Sequence, residues 1–331
     1  MRHPLKLEPV FMPKPWGGTN LKRCLGKKIP GEKIGESWEL CCRNEGMSVV
    51  AEGKHRGRTL QELIHTYGEK LVGTKVYQKH GENFPLLIKM IDAADRLSVQ
   101  VHPDDAQAHL SGEAYGKDEM WYIIDAVENA KLIYGVRGET SKEQLMEAIR
   151  SSRIIQLLNE VAVKPGHFFY IPGGTVHAIL GGILIAEIQQ NSNTTYRLYD
   201  WDRTDRFGGK RELHIPQAMK AIHFQAERPA APFAAAERKC RGTIIRRGPK
   251  VKGFCVDELK INGTFHAKST RKSFQVIMNL KGSGEIQYGL GCISLHKGDT
   301  VLIPAGLGLY RLSGKMLLLH TYADENERRK G

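Results

Sequence analysis

Much of the chain consists of short apolar runs separated by glycine and proline. Four clear examples of such runs lie at residues 168–172, 182–186, 274–278 and 300–304. Closely spaced short strands with turn signals between them are typical of β-sandwiches and β-barrels. The pattern therefore predicts a mainly β protein.

Helical periodicity interrupts this β pattern in the N-terminal half. Thr59 is followed three residues later by Glu62, and Thr140 is followed in the same way by Glu143. This spacing is the signature of a capping box, in which each side chain bonds the backbone N–H of the other residue. Apolar residues continue at helical spacing after both pairs, so we expect helices to begin there.

A change of composition divides the chain in two. Proline and alanine without periodicity fill residues 227–238, which is typical of a linker. The prediction is an N-terminal domain over 1–226, with helical insertions at about 55–80 and 104–160, and a C-terminal domain over 239–331.

Composition and charge restrict the possible partners. The 331 residues are 41% hydrophobic and 26% charged, which is ordinary for a soluble globular protein with a sizeable core. We find no membrane-spanning apolar run and no secretory signal, so we expect a cytoplasmic protein without a membrane partner. The six cysteines include no Cys-x-x-Cys pair, which favours reduced thiols.

The formal net charge of +13 indicates attraction to anions. Nucleic acid, an anionic membrane and a phosphorylated small molecule all fit a basic protein. The basic residues are dispersed, however, and aromatic side chains do not alternate with them, so we expect no nucleic-acid partner. A small phosphorylated molecule fits best.

Two stretches, 166–177 and 298–309, share one template. Each has glycine, five residues, proline, one residue, glycine, two residues and a variable position, which is His177 in the first copy and Leu309 in the second. The template predicts a turn, a strand and a tight turn. It resembles the second sequence motif of the cupin superfamily, whose closing histidine binds a metal. The resemblance implies that the C-terminal copy has lost its metal.

Further candidate ligands lie upstream of His177. Gln100 and His102 are two residues apart, so on a strand they share one face. Glu119 opens an apolar, strand-like run and can supply a carboxylate. Each residue alone also has an ordinary structural interpretation, but in combination they favour a catalytic zinc site with a position left for water or substrate.

Longer motifs extend the likeness over nearly the whole chain. The most specific are Gly-Glu-Ser-Trp-Glu at 35–39, Gln-Val-His-Pro-Asp at 100–104 and Glu-Ile-Gln-Gln-Asn-Ser-Asn-Thr-Thr-Tyr-Arg at 187–197. The sequence resembles the type I mannose-6-phosphate isomerase (phosphomannose isomerase) family in its short bacterial form. The resemblance implies two cupin-type jelly-roll β-barrels, of which only the N-terminal one binds metal. It also implies interconversion of mannose 6-phosphate and fructose 6-phosphate through an enediol.

The resemblance assigns one zinc ion per chain to Gln100, His102, Glu119 and His177, and it makes Lys89, Lys117 and Arg197 active-site residues. We expect zinc to act as a Lewis acid and Arg197 to stabilise the enediolate. Lys117 is our candidate base, with a metal-bound water as its rival and with Asp118 and Glu36 as weaker options.

Substrate binding is assigned to further side chains around these residues. A phosphate dianion requires cations and hydroxyl donors, which favours Ser98, Lys89 and Arg203. Trp16, Trp38 and Glu36 are expected at the sugar pocket, although core packing explains the two tryptophans equally well.

Some features leave alternatives open. Asn193, Asp118 and His167 depart from the usual family pattern. A metal-dependent cupin oxygenase and a non-catalytic sugar-phosphate-binding paralogue are the competing functions. The sequence is compatible with a monomer or a homodimer.

Overall fold

The computed structural model describes residues 1–204, 207–224, 232–240 and 242–323. Strands dominate these ranges, which confirms the prediction of a mainly β protein. The strands are β1 (Leu5–Glu8), β2 (Val10–Gly18), β3 (Ile34–Leu40), β4 (Cys42–Arg43), β5 (Gly46–Met47), β6 (Val49–Val50), β7 (Leu86–Ala93), β8 (Val99–Val101), β9 (Glu119–Ala126), β10 (Lys131–Val136), β11 (Leu158–Ala162), β12 (Phe168–Ile171), β13 (His177–Ile179), β14 (Ile183–Gln190), β15 (Tyr196–Tyr199), β16 (Ala236–Cys240), β17 (Thr243–Val251), β18 (Phe254–Ser269), β19 (Gln275–Tyr288), β20 (Gly291–Leu295), β21 (Thr300–Ile303) and β22 (Gly308–Tyr322).

Short helices connect some of these strands. They are α1 (Asn20–Leu25), α2 (Leu60–Tyr67), α3 (Glu69–Val72), α4 (Thr74–His80), α5 (Asp105–Leu110), α6 (Lys142–Arg150) and α7 (Ile215–Ala221), with 3-10 turns at Gly53–His55 and Ile154–Leu157. None of the helices in the described ranges combines the length and apolar character needed to cross a membrane.

Two large antiparallel sheets form most of the N-terminal half, beside the short pair of β4 and β5. The six-stranded sheet has the order β12-β9-β14-β7-β3-β2, and the five-stranded sheet has the order β11-β10-β13-β8-β15. Buried side chains of the first sheet, including Trp121 and Ile185, share a core with Leu132 and Ile179 of the second. The two sheets therefore face each other, and side chains at the edge of this core can converge from both.

The C-terminal half is a larger antiparallel sheet with its own core. Its order is β16-β17-β18-β22-β19-β21-β1-β6, with β20 paired to β19. Leu259, Ile277 and Leu318 belong to the apolar cluster on its inner side. The N-terminal strand β1 joins this sheet, where Leu5 lies opposite Leu302 of β21. The two halves therefore share a sheet, and the predicted division into domains stays a prediction.

The first predicted insertion is helical as expected, and the capping box at Thr59 and Glu62 is present. The second box lies one residue later than predicted, with Ser141 as the N-cap and Gln144 as its partner. Thr140 donates its hydroxyl to the carbonyl of Arg137 instead. The extended backbone of Ser141 places its side chain over the first turn, which explains the shift.

The prediction of a helical insertion over 104–160 is too broad. Helices α5 and α6 lie there, but strands β9 and β10 lie between them. The first five residues of β9 are all buried, because they are covered on both faces of the sheet. In the predicted linker, residues 227–231 lie outside the described ranges, and residues 236–238 belong to β16.

Candidate active site

Four predicted ligands come together from both N-terminal sheets. Gln100 lies on β8, and His102 follows on the same face just after that strand. His177 opens β13 and is directly opposite Gln100 in the antiparallel ladder. Glu119 opens β9 in the facing sheet. The site thus lies between the two sheets.

The ligand atoms are close enough for one ion. His102 Nε2 lies 3.2 Å from Glu119 Oε1, and His177 Nε2 lies 3.9 Å from Glu119 Oε2. All three side chains are buried, and their ligand atoms lie within 4.8 Å of one another. No other group of three His, Cys, Asp or Glu side chains in the described residues has this geometry.

Hydrogen bonds fix the orientation of both imidazole rings. Nδ1 of His102 donates to the carbonyl of Thr194 at 2.9 Å, and Nδ1 of His177 donates to the carbonyl of Thr175 at 2.9 Å. Because a carbonyl only accepts, each Nδ1 carries the proton and each Nε2 keeps its lone pair toward the cluster. This is the usual outer-shell arrangement of histidine ligands.

The electrostatics also suit a cation. Burial lowers the pKa of His102 to about 3, and the nearby Lys117 adds to this effect. Burial also lowers the pKa of His177, so both rings are neutral. Burial opposes ionisation of Glu119, but the neighbouring Lys117 outweighs it and holds the pKa of this carboxyl well below its usual value.

Gln100 can complete the donor set. Its Nε2 lies 3.3 Å from His177 Nε2, and its Oε1 accepts from the hydroxyl of Ser98 at 3.4 Å. A half-turn of the amide about its last bond exchanges Nε2 and Oε1, so that Oε1 faces the ligand atoms of the other three residues. Two neutral imidazoles, one carboxylate and one amide oxygen fit a divalent zinc ion.

A cavity of about 300 Å³ adjoins these ligands, and Gln100 and Lys117 line it. The predicted site residues Trp16, Glu36, Lys89, Ser98 and Arg197 line the same cavity. Other lining residues are Lys14, Ile91, Leu97, Trp121, Ile179, Glu187, Asn193, Thr195 and Arg211.

Lys117 lies at the junction of the ligands and the cavity. Its Nζ is 3.2 Å from His102 Nε2 and 3.1 Å from Glu119 Oε1. The side chain is buried. The ammonium therefore lies within reach of a group that reacts beside the ligands.

Lys89 belongs to a row of alternating charges along the cavity wall. Its Nζ lies 3.3 Å from Glu187 Oε1. Burial favours the neutral amine, but Glu187 and Glu36 outweigh it and raise the pKa of Lys89, which stays protonated. Lys89 and Lys14 likewise outweigh burial at Glu36 and lower the pKa of that carboxyl.

Glu187 is a cavity residue that sequence reasoning missed. Burial and the neighbouring Glu119 raise the pKa of Glu187. The indole N–H of Trp121 donates to both carboxylates, at 3.1 Å to Glu119 Oε2 and 3.0 Å to Glu187 Oε2. Glu187 is the first residue of the 187–197 motif, and this position was the feature of the sequence that could have identified it as a site residue.

Arg197 presents part of its guanidinium to the cavity. Its Nη1 donates to the carbonyl of Glu212 at 2.6 Å, which anchors the side chain. Its Nε is buried and has no hydrogen-bond partner among the described residues. Arg197 thus lines the cavity and retains one donor that no described protein group satisfies.

Three of the other predicted residues lie elsewhere. Arg203 is outside the cavity, because its guanidinium bonds Asp200 Oδ1 and the carbonyl of Arg96, both at 2.7 Å. Arg211, which binds the same Asp200, lines the cavity in its place.

The other two, Trp38 and Asp118, also lie away from the cavity lining. Trp38 packs with Cys41 and Leu87, and its indole N–H donates to Glu36 at 2.7 Å. The Asp118 carboxylate accepts from the Tyr170 hydroxyl and the Gly173 N–H, both at 2.8 Å.

The second copy of the repeat has the same turns but a different end. Gly174 and Gly306 both have positive φ, at 89° and 71°. His177 is buried, whereas Leu309 is 70% exposed. Strand β22 begins one residue before Leu309, so the next residue, Tyr310, points inward and hydrogen-bonds Gln275 and His320.

Comparisons with known proteins agree over nearly the whole chain. The family described as phosphomannose isomerase type I, catalytic domain, matches residues 5–131, and the mannose-6-phosphate isomerase cupin domain matches residues 245–323. The mannose-6-phosphate isomerase ManA of Bacillus subtilis is 42% identical over 315 residues, which cover 94% of this chain and 96% of the relative.

Another relative and a solved structure come from the same organism. The probable mannose-6-phosphate isomerase GmuF is 47% identical over 320 residues, which cover 95% of this chain and 97% of the relative. A crystal structure of a B. subtilis mannose 6-phosphate isomerase superposes with a TM-score of 0.87 at 37% identity, covering 96% of this chain and 99% of that one. With near-complete coverage and identities well above 30%, this chain belongs to the type I phosphomannose isomerase family.

Proposed function

We propose that this protein interconverts D-mannose 6-phosphate and D-fructose 6-phosphate through an enediol, with one zinc ion per chain. The observation that carries the proposal is the buried group His102, Glu119 and His177 beside a cavity lined by lysine and arginine. Aldose–ketose isomerisation moves a proton between two carbons and places negative charge on oxygen. Such a site requires an electrophile, a proton carrier and an anchor for the phosphate.

Gln100, His102, Glu119 and His177 are the residues that hold zinc in this proposal. Bound zinc supplies Lewis acidity, which polarises a carbonyl or alkoxide oxygen. The place of Arg197 in the cavity lining supports a role in stabilising the enediolate, since a fixed cation in a water-poor cavity acts strongly on developing charge.

Lys117 is the residue to which we assign proton transfer. It is the lysine closest to the ligands, and its ammonium reaches the cavity. Glu187 is a second candidate, since its raised pKa makes it more readily protonated than an exposed carboxyl. Asp118 and Glu36 are less suitable, because Asp118 faces the Tyr170 turn and Glu36 is held ionised by lysines.

The phosphate is assigned to Lys89, Ser98 and Arg211. Lys89 stays protonated, and Ser98 offers a hydroxyl beside Gln100. Arg211 replaces Arg203 in this assignment, because Arg211 lines the cavity. Lysine and arginine donors next to a hydroxyl are the usual surroundings of a phosphate dianion.

A coupled assay of hexose 6-phosphate isomerisation tests the proposal. We expect activity on mannose 6-phosphate that disappears after chelation and returns with zinc. Equal turnover by rigorously metal-free protein would refute it. Oxygen consumption with iron(II) and no isomerisation would instead support the oxygenase alternative.

A further inference from the structure

The backbone around Lys117 is fixed at three consecutive N–H groups. Gly116 N donates to Asp105 Oδ1 at 2.8 Å, Lys117 N donates to the carbonyl of Pro103 at 3.0 Å, and Asp118 N donates to Gln190 Oε1 at 2.9 Å. None of these peptides can rotate without breaking a bond. The direction in which the lysine leaves the backbone is thereby set.

Asp105 is the branch point of these contacts. Its Oδ1 also accepts from Gln190 Nε2 at 2.9 Å, and its Oδ2 forms an ion pair with Lys252. One carboxylate therefore joins the segment before Lys117, the end of β14 and a lysine from another part of the chain. Charge-assisted hydrogen bonds of this kind are stronger than neutral ones.

Close packing strengthens the arrangement at Gly116. A Cβ atom at this position would lie 2.5 Å from the carbonyl carbon of Asp104 and 2.5 Å from the nitrogen of Asp105. The segment that leads to Lys117 therefore lies directly against the start of α5, where Asp104 is the N-cap. Only glycine permits this approach.

Lys252 comes from the C-terminal sheet. It occupies the turn between β17 and β18, so its ion pair with Asp105 connects that sheet to the active-site segment. Gln190, Asp105 and Lys252 also line a separate surface cavity of about 380 Å³. The connection is thus accessible to solvent on the side away from the ligands.

We propose that Asp105 is a positioning residue that fixes Lys117 for proton transfer, and that Lys252 holds Asp105 from the C-terminal half. The inference rests on the proposed function, because it assumes that Lys117 takes part in the reaction. Asp105 touches no metal ligand side chain and does not line the reaction cavity. Its effect on turnover acts through the backbone of Lys117.

Four variants test the inference with a graded outcome. Asp105→Ala removes all three contacts, whereas Asp105→Asn keeps an oxygen for Gly116 and Gln190 and loses only the ion pair. Lys252→Met removes the same ion pair from the other side. Asp104→Asn is the matched control, because it removes the charge of a neighbouring carboxylate. The Asp104 carboxylate caps α5 and contacts His223, and not the groups that Asp105 binds.

We expect Asp105→Ala to lower kcat by about 10- to 100-fold at nearly unchanged KM, because a small misplacement of a reacting group costs that much. Asp105→Asn and Lys252→Met should each lower kcat by no more than about threefold, and Asp104→Asn by less than that. Zinc content should stay at one ion per chain in every variant. If Asp105→Ala does not fold, Gln190→Leu, which removes the acceptor of Asp118 N, should show the same loss of kcat.

Several results would overturn the inference. These are wild-type kcat in both Asp105→Ala and Gln190→Leu, an equal loss in Asp104→Asn, or a loss of zinc that accounts for the lost activity. Each of these results bears on the inference only when the wild-type protein is active. An inactive, zinc-loaded wild type would instead refute the proposed function.

Discussion

Trp121 lies two residues after Glu119 on the same face of β9, and its indole N–H returns to Glu119 Oε2 at 3.1 Å. The ring also meets the imidazole of His177 edge-on, with centroids 5.4 Å apart. One aromatic side chain thus supports two candidate ligands. The donor of this hydrogen bond can be removed without removing the ring.

Trp121→Phe should weaken zinc binding by about 10-fold, because loss of an outer-shell hydrogen bond costs about that much. Competition with a fluorescent chelator measures the dissociation constant. Activity should recover at saturating zinc. Trp201→Phe is the control, since its indole donates to the carbonyl of Leu97, away from the ligands. An unchanged zinc affinity in Trp121→Phe would contradict the assigned role.

His102→Ala should abolish zinc retention and lower kcat/KM by more than about 100-fold, which exceeds the usual cost of an outer-shell change. The removed imidazole is buried and faces Glu119 at 3.2 Å. Metal analysis and the coupled assay on the same sample provide the test. A metal-free variant with wild-type turnover would exclude His102 from the catalytic centre.

Arg211 and Arg203 form a matched pair for the phosphate assignment. Both bind Asp200, but only Arg211 lines the cavity. Arg211→Gln should raise KM by about 10-fold or more, as expected for the loss of a charged hydrogen bond to phosphate. Arg203→Gln should leave KM within about twofold, since Arg203 does not line the cavity and Arg211 still binds Asp200. The reverse order of effects would restore Arg203 as the phosphate ligand.

Because of His320, we expect the free energy of unfolding to depend on pH for a reason unrelated to the metal. It is buried among Gln275, Tyr310 and Tyr322, and burial lowers its pKa to about 3. The unfolded state, with an ordinary pKa near 6.5, binds the proton more readily. The contribution of neutral His320 is therefore complete above pH 6.5 and is lost as the pH falls toward 3.

His320→Gln removes this titration. Between pH 7.5 and pH 5.0, the free energy of unfolding of the wild type should fall by about 2 kcal/mol more than that of the variant. Urea unfolding of both proteins at the two pH values measures the difference. The same pH dependence in both proteins would show that the pKa of His320 does not differ between the folded and unfolded states.

The sequence was most informative where chemistry depends on spacing along one strand or in one repeat. Gln100 and His102 lie on one face, and His177 closes a repeated turn, so their approach to a common point followed from local rules. The mainly β architecture followed from the same short apolar runs. Leu309 was expected to take the place of a ligand, but a strand that begins one residue earlier turned it outward.

Long-range geometry was harder to predict. Arg203 and Arg211 both lie near Asp200, and nothing local indicates which one faces the cavity. Glu187 lies in an apolar strand, where only the pairing of β14 with β9 brings it next to Trp121. Asp105 gains its contacts from residues 11, 85 and 147 positions away. Such contacts depend on how distant segments pack against each other.

Stepwise reconstitution of metal-free protein with zinc tests the central claim most directly. Isomerase activity and bound zinc are measured on the same samples while the zinc supply is increased. We predict that activity on mannose 6-phosphate rises in proportion to bound zinc and stops rising at one ion per chain. Full activity in samples without zinc, or no activity at one ion per chain, would contradict the account.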